Sequence, residues 1–169
     1  SSTENQPEKL RSFDAIIVGA GQAGPSLAGR LNDAGLKVAI IERDLVGGTC
    51  VNTGCKPTKT LVASAYAAHQ ASRGGDYGFS RSDVTIDMPA VAARARKVIV
   101  DSRQSNEDWL ASMPNVELIR GHARFDGPKT ITVGGTRLTA PKIFLNVGAR
   151  AFIPDMPGIE NVPYLTNSE

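Results

Sequence analysis

Between the apolar run Asp14-Ala15-Ile16-Ile17-Val18 and a segment with Ala23, Leu27, Ala28 and Leu31 at helical spacing stands Gly19-Ala20-Gly21-Gln22-Ala23-Gly24. The run before it is apolar and partly β-branched, the pattern of a parallel strand buried on both faces. The segment after it reads as a helix from Gln22 to Ala34, stopped by Gly35. A second buried strand follows from Lys37 to Glu42. Strand, glycine turn, helix and strand make a βαβ unit, and its right-handed crossover requires a parallel sheet. Glycines at such a turn let backbone approach a pyrophosphate closely, and the free N–H groups and positive end of the helix stabilise the anion. Glu42 ends the second strand 18 residues beyond Gly24, where a carboxylate can accept hydrogen bonds from a ribose. Together these residues point to a dinucleotide site; the alternative is a structural turn with an exposed Glu42.

A second pattern follows at Gly47-Gly48-Thr49-Cys50-Val51-Asn52-Thr53-Gly54-Cys55-Lys56-Pro57-Thr58-Lys59. Four residues separate the two cysteines at an expected helix start, where the dipole favours thiolate and hence thiol exchange. A regular helix turns by about 100° per residue, so positions i and i+5 would point roughly 140° apart. If the sulfurs are to bond, Thr53-Gly54 must distort the helix, and Gly54 makes that easier. Metal binding fits poorly, because there is no second Cys pair and His69 and His122 have no ligand-like spacing to this one. Two reduced, buried thiols are the bland alternative. Thr49 sits directly before Cys50, and Lys59 and Lys56 both read as helix lysines.

The rest of the chain divides into a helical and a strand-rich part. Cys55 to Ser72 and Met88 to Leu110 read as helices, separated by Gly74-Gly75-Asp76-Tyr77-Gly78. Val116 to Arg120, His122 to Phe125, Thr130 to Val133, Arg137 to Thr139 and Ile143 to Val147 read as strands. Gly134-Gly135 is a hairpin signal and Gly127-Pro128 another turn. The expected fold is therefore α/β: a Rossmann-like parallel sheet with helices, and a small antiparallel β-meander leading back into its last strand. Residues 1–12 are polar and lack apolar periodicity, which predicts a flexible tail.

Composition excludes several classes of partner. The net charge is +2 with both signs interspersed, so no single-sign face offers itself to nucleic acid or an anionic membrane. The apolar runs are too short to span a bilayer, and no signal-peptide stretch opens the chain. A cytoplasmic protein is expected. Two cysteines cannot form a secreted-type disulfide framework, so their role is chemical rather than structural.

The cysteine motif, preceded by the glycine fingerprint and Glu42, closely resembles the class I pyridine nucleotide-disulfide oxidoreductases, which include glutathione reductase, dihydrolipoamide dehydrogenase and mercuric reductase. The resemblance continues at Arg120-Gly121-His122-Ala123-Arg124-Phe125 and at Asn146-Val147-Gly148-Ala149-Arg150. Val147 departs from the threonine usual there. The resemblance spans residues 13–169 and implies the amino-terminal part of a three-layer ββα FAD domain. It further implies that Cys50 is the interchange thiol, Cys55 the thiol that contacts the flavin, and Lys59 the lysine near the flavin's reactive nitrogen. FAD would be held by Gly19, Gly21, Gln22, Ala23 and Gly24, and by Glu42 and Arg43. Gly48, Thr49, Cys50 and Lys59 would add to the site from the cysteine segment. His122, Ala123 and Gly148 would complete it, the first two through backbone at the adenine.

The same resemblance implies electrons passing from NAD(P)H through FAD to a Cys50–Cys55 disulfide, and on to a small-molecule disulfide, dithiol or mercuric-ion substrate. It also implies a homodimer for the full-length protein. A second glycine fingerprint, a dimerisation domain and the family's acid-base histidine are missing from these 169 residues. The expectation is accordingly a fragment inactive on its own, with an FAD-binding module without turnover and a flavin-free thiol-disulfide protein as alternatives.

Overall fold

The computed structural model describes residues 10–80 and 83–168. In chain order it contains β1 (Arg11–Ser12), β2 (Ala15–Val18), α1 (Ala23–Asp33), β3 (Val38–Glu42), α2 (Gly48–Asn52), α3 (Cys55–Ser72), α4 (Met88–Ala111), β4 (Val116–Arg120), β5 (Arg124–Gly127), β6 (Thr130–Val133), β7 (Thr136–Thr139) and β8 (Lys142–Leu145). Short 3₁₀ turns cover Gly74–Tyr77 and Ile159–Asn161. The chain forms two compact units. One comprises the chain up to Gly48 with Ser105–Ala149, the other Thr49–Gln104 with the chain from Arg150 onward.

The first unit is a three-layer α/β fold. Its parallel sheet has the order β4-β3-β2-β8. Successive residues of a strand point to opposite faces, and here both faces are covered. Ile16, Ala39 and Ile41 join Phe13, Ile131, Val133 and Leu138 in one cluster, shared with the second sheet. Ala15, Ile17, Val38 and Ile40 join Ala28 of α1 and Leu110 of α4 in another. The double burial explains why β2 and β3 are continuously apolar rather than alternating.

The second sheet has the order β1-β7-β6-β5 and is antiparallel except for β1, which lies parallel to β7. Gly134 and Gly135 have φ of +53° and +81°, as a two-residue hairpin whose twist matches right-handed strands requires. Three expectations need correction. Arg11–Ser12 belongs to the sheet rather than to a tail; the pairing uses backbone groups alone, so these polar residues carry no pattern that announces it. Residues 1–9 of the expected tail lie outside the described residues. Val116–Arg120 joins the parallel sheet beside β3 instead of the meander. The strand expected at His122–Phe125 begins at Arg124, because Gly121, at φ +145°, turns the chain out of the parallel sheet first.

The second unit is built on α3 and the greater part of α4. The Arg94 guanidinium donates to the Thr60 carbonyl at 2.9 Å and to Ser64 Oγ at 3.1 Å, tying the two helices together. Leu61, Val62 and Tyr66 of α3 are exposed.

Candidate active site

In the first unit, the turn between β2 and α1 is closed by backbone contacts that dictate its glycines. Gly19 has φ +104°, and a Cβ there would lie 2.1 Å from the Asn146 carbonyl oxygen. A Cβ at Gly24 would lie 2.4 Å from the Gly19 carbonyl oxygen and 3.3 Å from Ile40 Cδ1. That carbonyl is thus tucked against the first turn of α1, where it accepts a hydrogen bond from Asn146 Nδ2 at 3.2 Å. Gly48, at φ +58°, packs on the same turn, since its Cβ would lie 2.9 Å from Gly21 Cα. Gly21 itself is different. Its Cβ would meet only Asn146 Nδ2, at 3.5 Å, an ordinary contact, so the fold makes no demand for glycine there.

Glu42, at the carboxyl end of β3, holds this turn as well. The Ala20 N–H donates to its Oε2 at 2.8 Å and the Asp44 N–H to its Oε1 at 2.9 Å. A carboxylate offers about four acceptor directions, so both oxygens keep capacity for a ribose. The Gly47 N–H donates to the Ala20 carbonyl at 2.8 Å and the Gly121 N–H to the Glu42 carbonyl at 3.0 Å. His122 and Ala123 therefore follow immediately beside Glu42; His122 is exposed, and Ala123 packs against the core. Arg43 is exposed. At the amino end of α1, Gln22 occupies the capping position without a side-chain cap, Ala23 begins the helix, and the first turn holds no acidic residue. Gly148 has φ +67° with open space around its Cα, and Val147 is largely exposed.

In the second unit, the helix containing the cysteines is broken where the sequence requires it. α2 ends at Asn52 and Cys55 opens α3, with Gly54 between them at φ −118° and ψ −106°. A Cβ at Gly54 would lie 3.0 Å from the Thr49 carbonyl oxygen. The break brings the side chains together: both cysteines are free thiols, hydrogen-bonded to each other. The expected dipole effect on Cys50 is not what the structure gives. α3 starts at Cys55, whereas Cys50 lies within a five-residue helix. The hydrogen bond that the Cys50 thiol makes to Cys55 and then burial push Cys50 above its ordinary value; the Cys55 backbone N–H and then Lys59 pull the other way. Cys55, Lys59 and Thr49 are exposed and Cys50 half-buried. From α4, Arg103 Nε donates to Asn52 Oδ1 at 3.0 Å, inside the cysteine loop.

A family profile described as pyridine nucleotide-disulphide oxidoreductase matches residues 13–169. The chain belongs to this family. Among curated members of the pyridine nucleotide-disulfide oxidoreductases, the mercuric reductase of Lysinibacillus sphaericus is 33% identical over 93% of this chain and 29% of its own length. That of Staphylococcus aureus is 35% identical over 92% of this chain and 28% of its own. The solved structure of the HOCl-induced flavoprotein disulfide reductase RclA from Escherichia coli superposes with a TM-score of 0.71 at 36% identity, over 89% of this chain and 32% of that one. The chain thus spans less than a third of the length of these curated oxidoreductases.

Two residues with a part in these geometries escape a motif reading. Asn146 lies within a segment that resembles the family, yet only the structure shows its side chain among Gly19, Gly21 and Gly24. The available signal is its place just past the end of a strand next to the fingerprint strand, where ligand sites of open α/β sheets collect. Arg103 lies 51 positions from Asn52 and has no local signal.

Proposed function

We propose that this chain is the FAD-binding and disulfide-bearing part of an NAD(P)H-dependent flavoprotein disulfide reductase. The observation that carries the reading is the meeting of the Cys50 and Cys55 thiols across the α2–α3 break. Two thiols in contact need little movement to close a disulfide. The glycine turn supports the cofactor: Gly21 leaves room for close approach, the start of α1 has neither a side-chain cap nor an acid, and Glu42 retains acceptor capacity. These features fit a dinucleotide diphosphate and its ribose. The binding set that the family resemblance implies is Gly19, Gly21, Gln22, Ala23, Gly24, Glu42, Arg43, Gly48, Thr49, Cys50, Lys59, His122, Ala123 and Gly148.

Held at the glycine turn, FAD would supply redox chemistry, passing two electrons from NAD(P)H that, with two protons, would open a Cys50–Cys55 disulfide to the dithiol. The Cys50 thiolate would attack a small disulfide or bind mercuric ion, whereas a dithiol substrate would itself attack the Cys50–Cys55 disulfide, with electrons running the other way. The raised proton affinity of Cys50 follows from its protonated thiol being the one that hydrogen-bonds to Cys55, so attack is fastest where that proton has been withdrawn. Cys55 completes the disulfide, and Lys59 keeps a cation near Cys50. The full-length protein is, in this reading, a cytoplasmic homodimer.

Purification in the dark, followed by an absorbance spectrum and extraction of the cofactor, tests the assignment. Flavin at about one per chain, with two cysteines that titrate only after reduction, is expected. A colourless protein that takes up no added FAD would remove the assignment.

A further inference from the structure

The peptide between Gly19 and Ala20 is held from both ends by residues of different strands. Its carbonyl accepts from Asn146 Nδ2, beyond β8, at 3.2 Å. Its N–H donates to Glu42 Oε2, at the end of β3, at 2.8 Å. The two anchors are chemically opposite, a donor against the carbonyl and an acceptor against the N–H, so each favours the same orientation of the peptide plane. Reversing the peptide would turn the carbonyl oxygen toward the Glu42 carboxylate and the N–H toward the Asn146 amide nitrogen. In the observed orientation the carbonyl lies against Gly24, the position at which a Cβ would come 2.4 Å from it.

We infer that Asn146 is a positioning residue for the dinucleotide turn, acting with Glu42 as a two-sided clamp on the Gly19–Ala20 peptide. The inference rests on the dinucleotide reading above. By keeping the Gly19 carbonyl directed against α1, the clamp keeps an electron-rich oxygen away from the space over the helix start, where a diphosphate would otherwise meet it. Asn146 Nδ2 would also lie 3.5 Å from a Cβ at Gly21 and 3.2 Å from one at Gly24, so this amide stands at the centre of the three fingerprint glycines. Its place is set by its own backbone, whose N–H donates to the Val18 carbonyl at 2.7 Å.

The test is a double-mutant cycle on FAD affinity in the native full-length protein, with melting of the FAD-free form measured alongside. Asn146→Ala should weaken FAD about 10-fold through loss of one hydrogen bond. Asn146→Asp, which keeps the shape but sets a carboxylate against the carbonyl, should weaken it roughly 100-fold. Once either anchor is gone the peptide is free to turn, so Asn146→Ala with Glu42→Ala should bind within about threefold of the weaker single variant rather than at the product of the two losses. Because the turn loses this hydrogen bond even without ligand, the FAD-free Asn146→Asp protein should melt cooperatively at a somewhat lower temperature than the unsubstituted protein, which shows that it folds. Losses that multiply, or an Asn146→Asp variant that binds FAD within twofold of the unsubstituted protein (a factor of about 0.4 kcal/mol), would overturn the clamp. An unsubstituted protein that binds no FAD would instead remove the dinucleotide reading, and the clamp's purpose with it.

Discussion

At the residue scale, the fingerprint glycines divide by what they are for. Gly24 gives room to the Gly19 carbonyl, so Gly24→Ala damages the fold before any ligand is considered, at a cost of about 1–3 kcal/mol for overpacking against backbone; thermal melting of the ligand-free protein should show it. Gly21 meets no such obstacle. Gly21→Ala should therefore leave melting nearly unchanged while weakening flavin retention, and equal losses of stability in the two variants would contradict the division. Sequence reading treats these glycines alike, because a motif records residue type and not which atoms approach. It likewise gives Glu42 only a ribose, whereas its carboxylate also carries two N–H groups of the turn. For Cys50 the sign is definite: its thiol is raised, first by the hydrogen bond it makes to the Cys55 side chain. Replacing Cys55 with Ala removes that cause, so the pH midpoint for alkylation of Cys50 should fall. A midpoint unchanged or higher in Cys55→Ala would contradict the Cys55 side chain as the cause.

At the scale of elements, what the sequence makes legible is what leaves a side-chain pattern. β2 and β3 are apolar because both faces are covered, and a helix break at Gly54 is what the five-residue step between the cysteines calls for if their sulfurs are to meet. β1 is not legible, since Arg11 and Ser12 pair through backbone. The assignment of β4 to the parallel sheet is equally hidden, because Val116–Arg120 reads as a strand without disclosing its neighbour. The α3–α4 connection depends on Arg94, whose bonds to the Thr60 carbonyl and Ser64 link residues about 30 positions apart. Arg94→Ala should destabilise the helix pair by about 1–3 kcal/mol, as expected when hydrogen bonds to a charged donor are lost. Hydrogen exchange would report this as faster exchange of α3 amides around Thr60 and Ser64, with β2 and β3 unaffected.

For the whole molecule, the three-layer architecture of the first unit and the family are both visible in the sequence, through one glycine turn and one cysteine motif. The substrate is not, because neither motif contains a group that would distinguish a disulfide from a metal ion. The 169 residues contain one glycine fingerprint, assigned to FAD, and span less than a third of the curated relatives. Holding a nicotinamide in register for hydride transfer can be worth roughly 7–11 kcal/mol of barrier, so the isolated chain should show no NAD(P)H-dependent reduction of glutathione disulfide, lipoamide or mercuric ion, while the full-length protein turns over. The most direct test of the central claim is an anaerobic titration of that full-length protein with NAD(P)H, following flavin absorbance while thiols are counted. The account predicts that two electrons per chain release two thiols, that these map to Cys50 and Cys55, and that Cys50→Ser abolishes their appearance without loss of the flavin. Flavin reduction with no new thiols in the unsubstituted protein would contradict it.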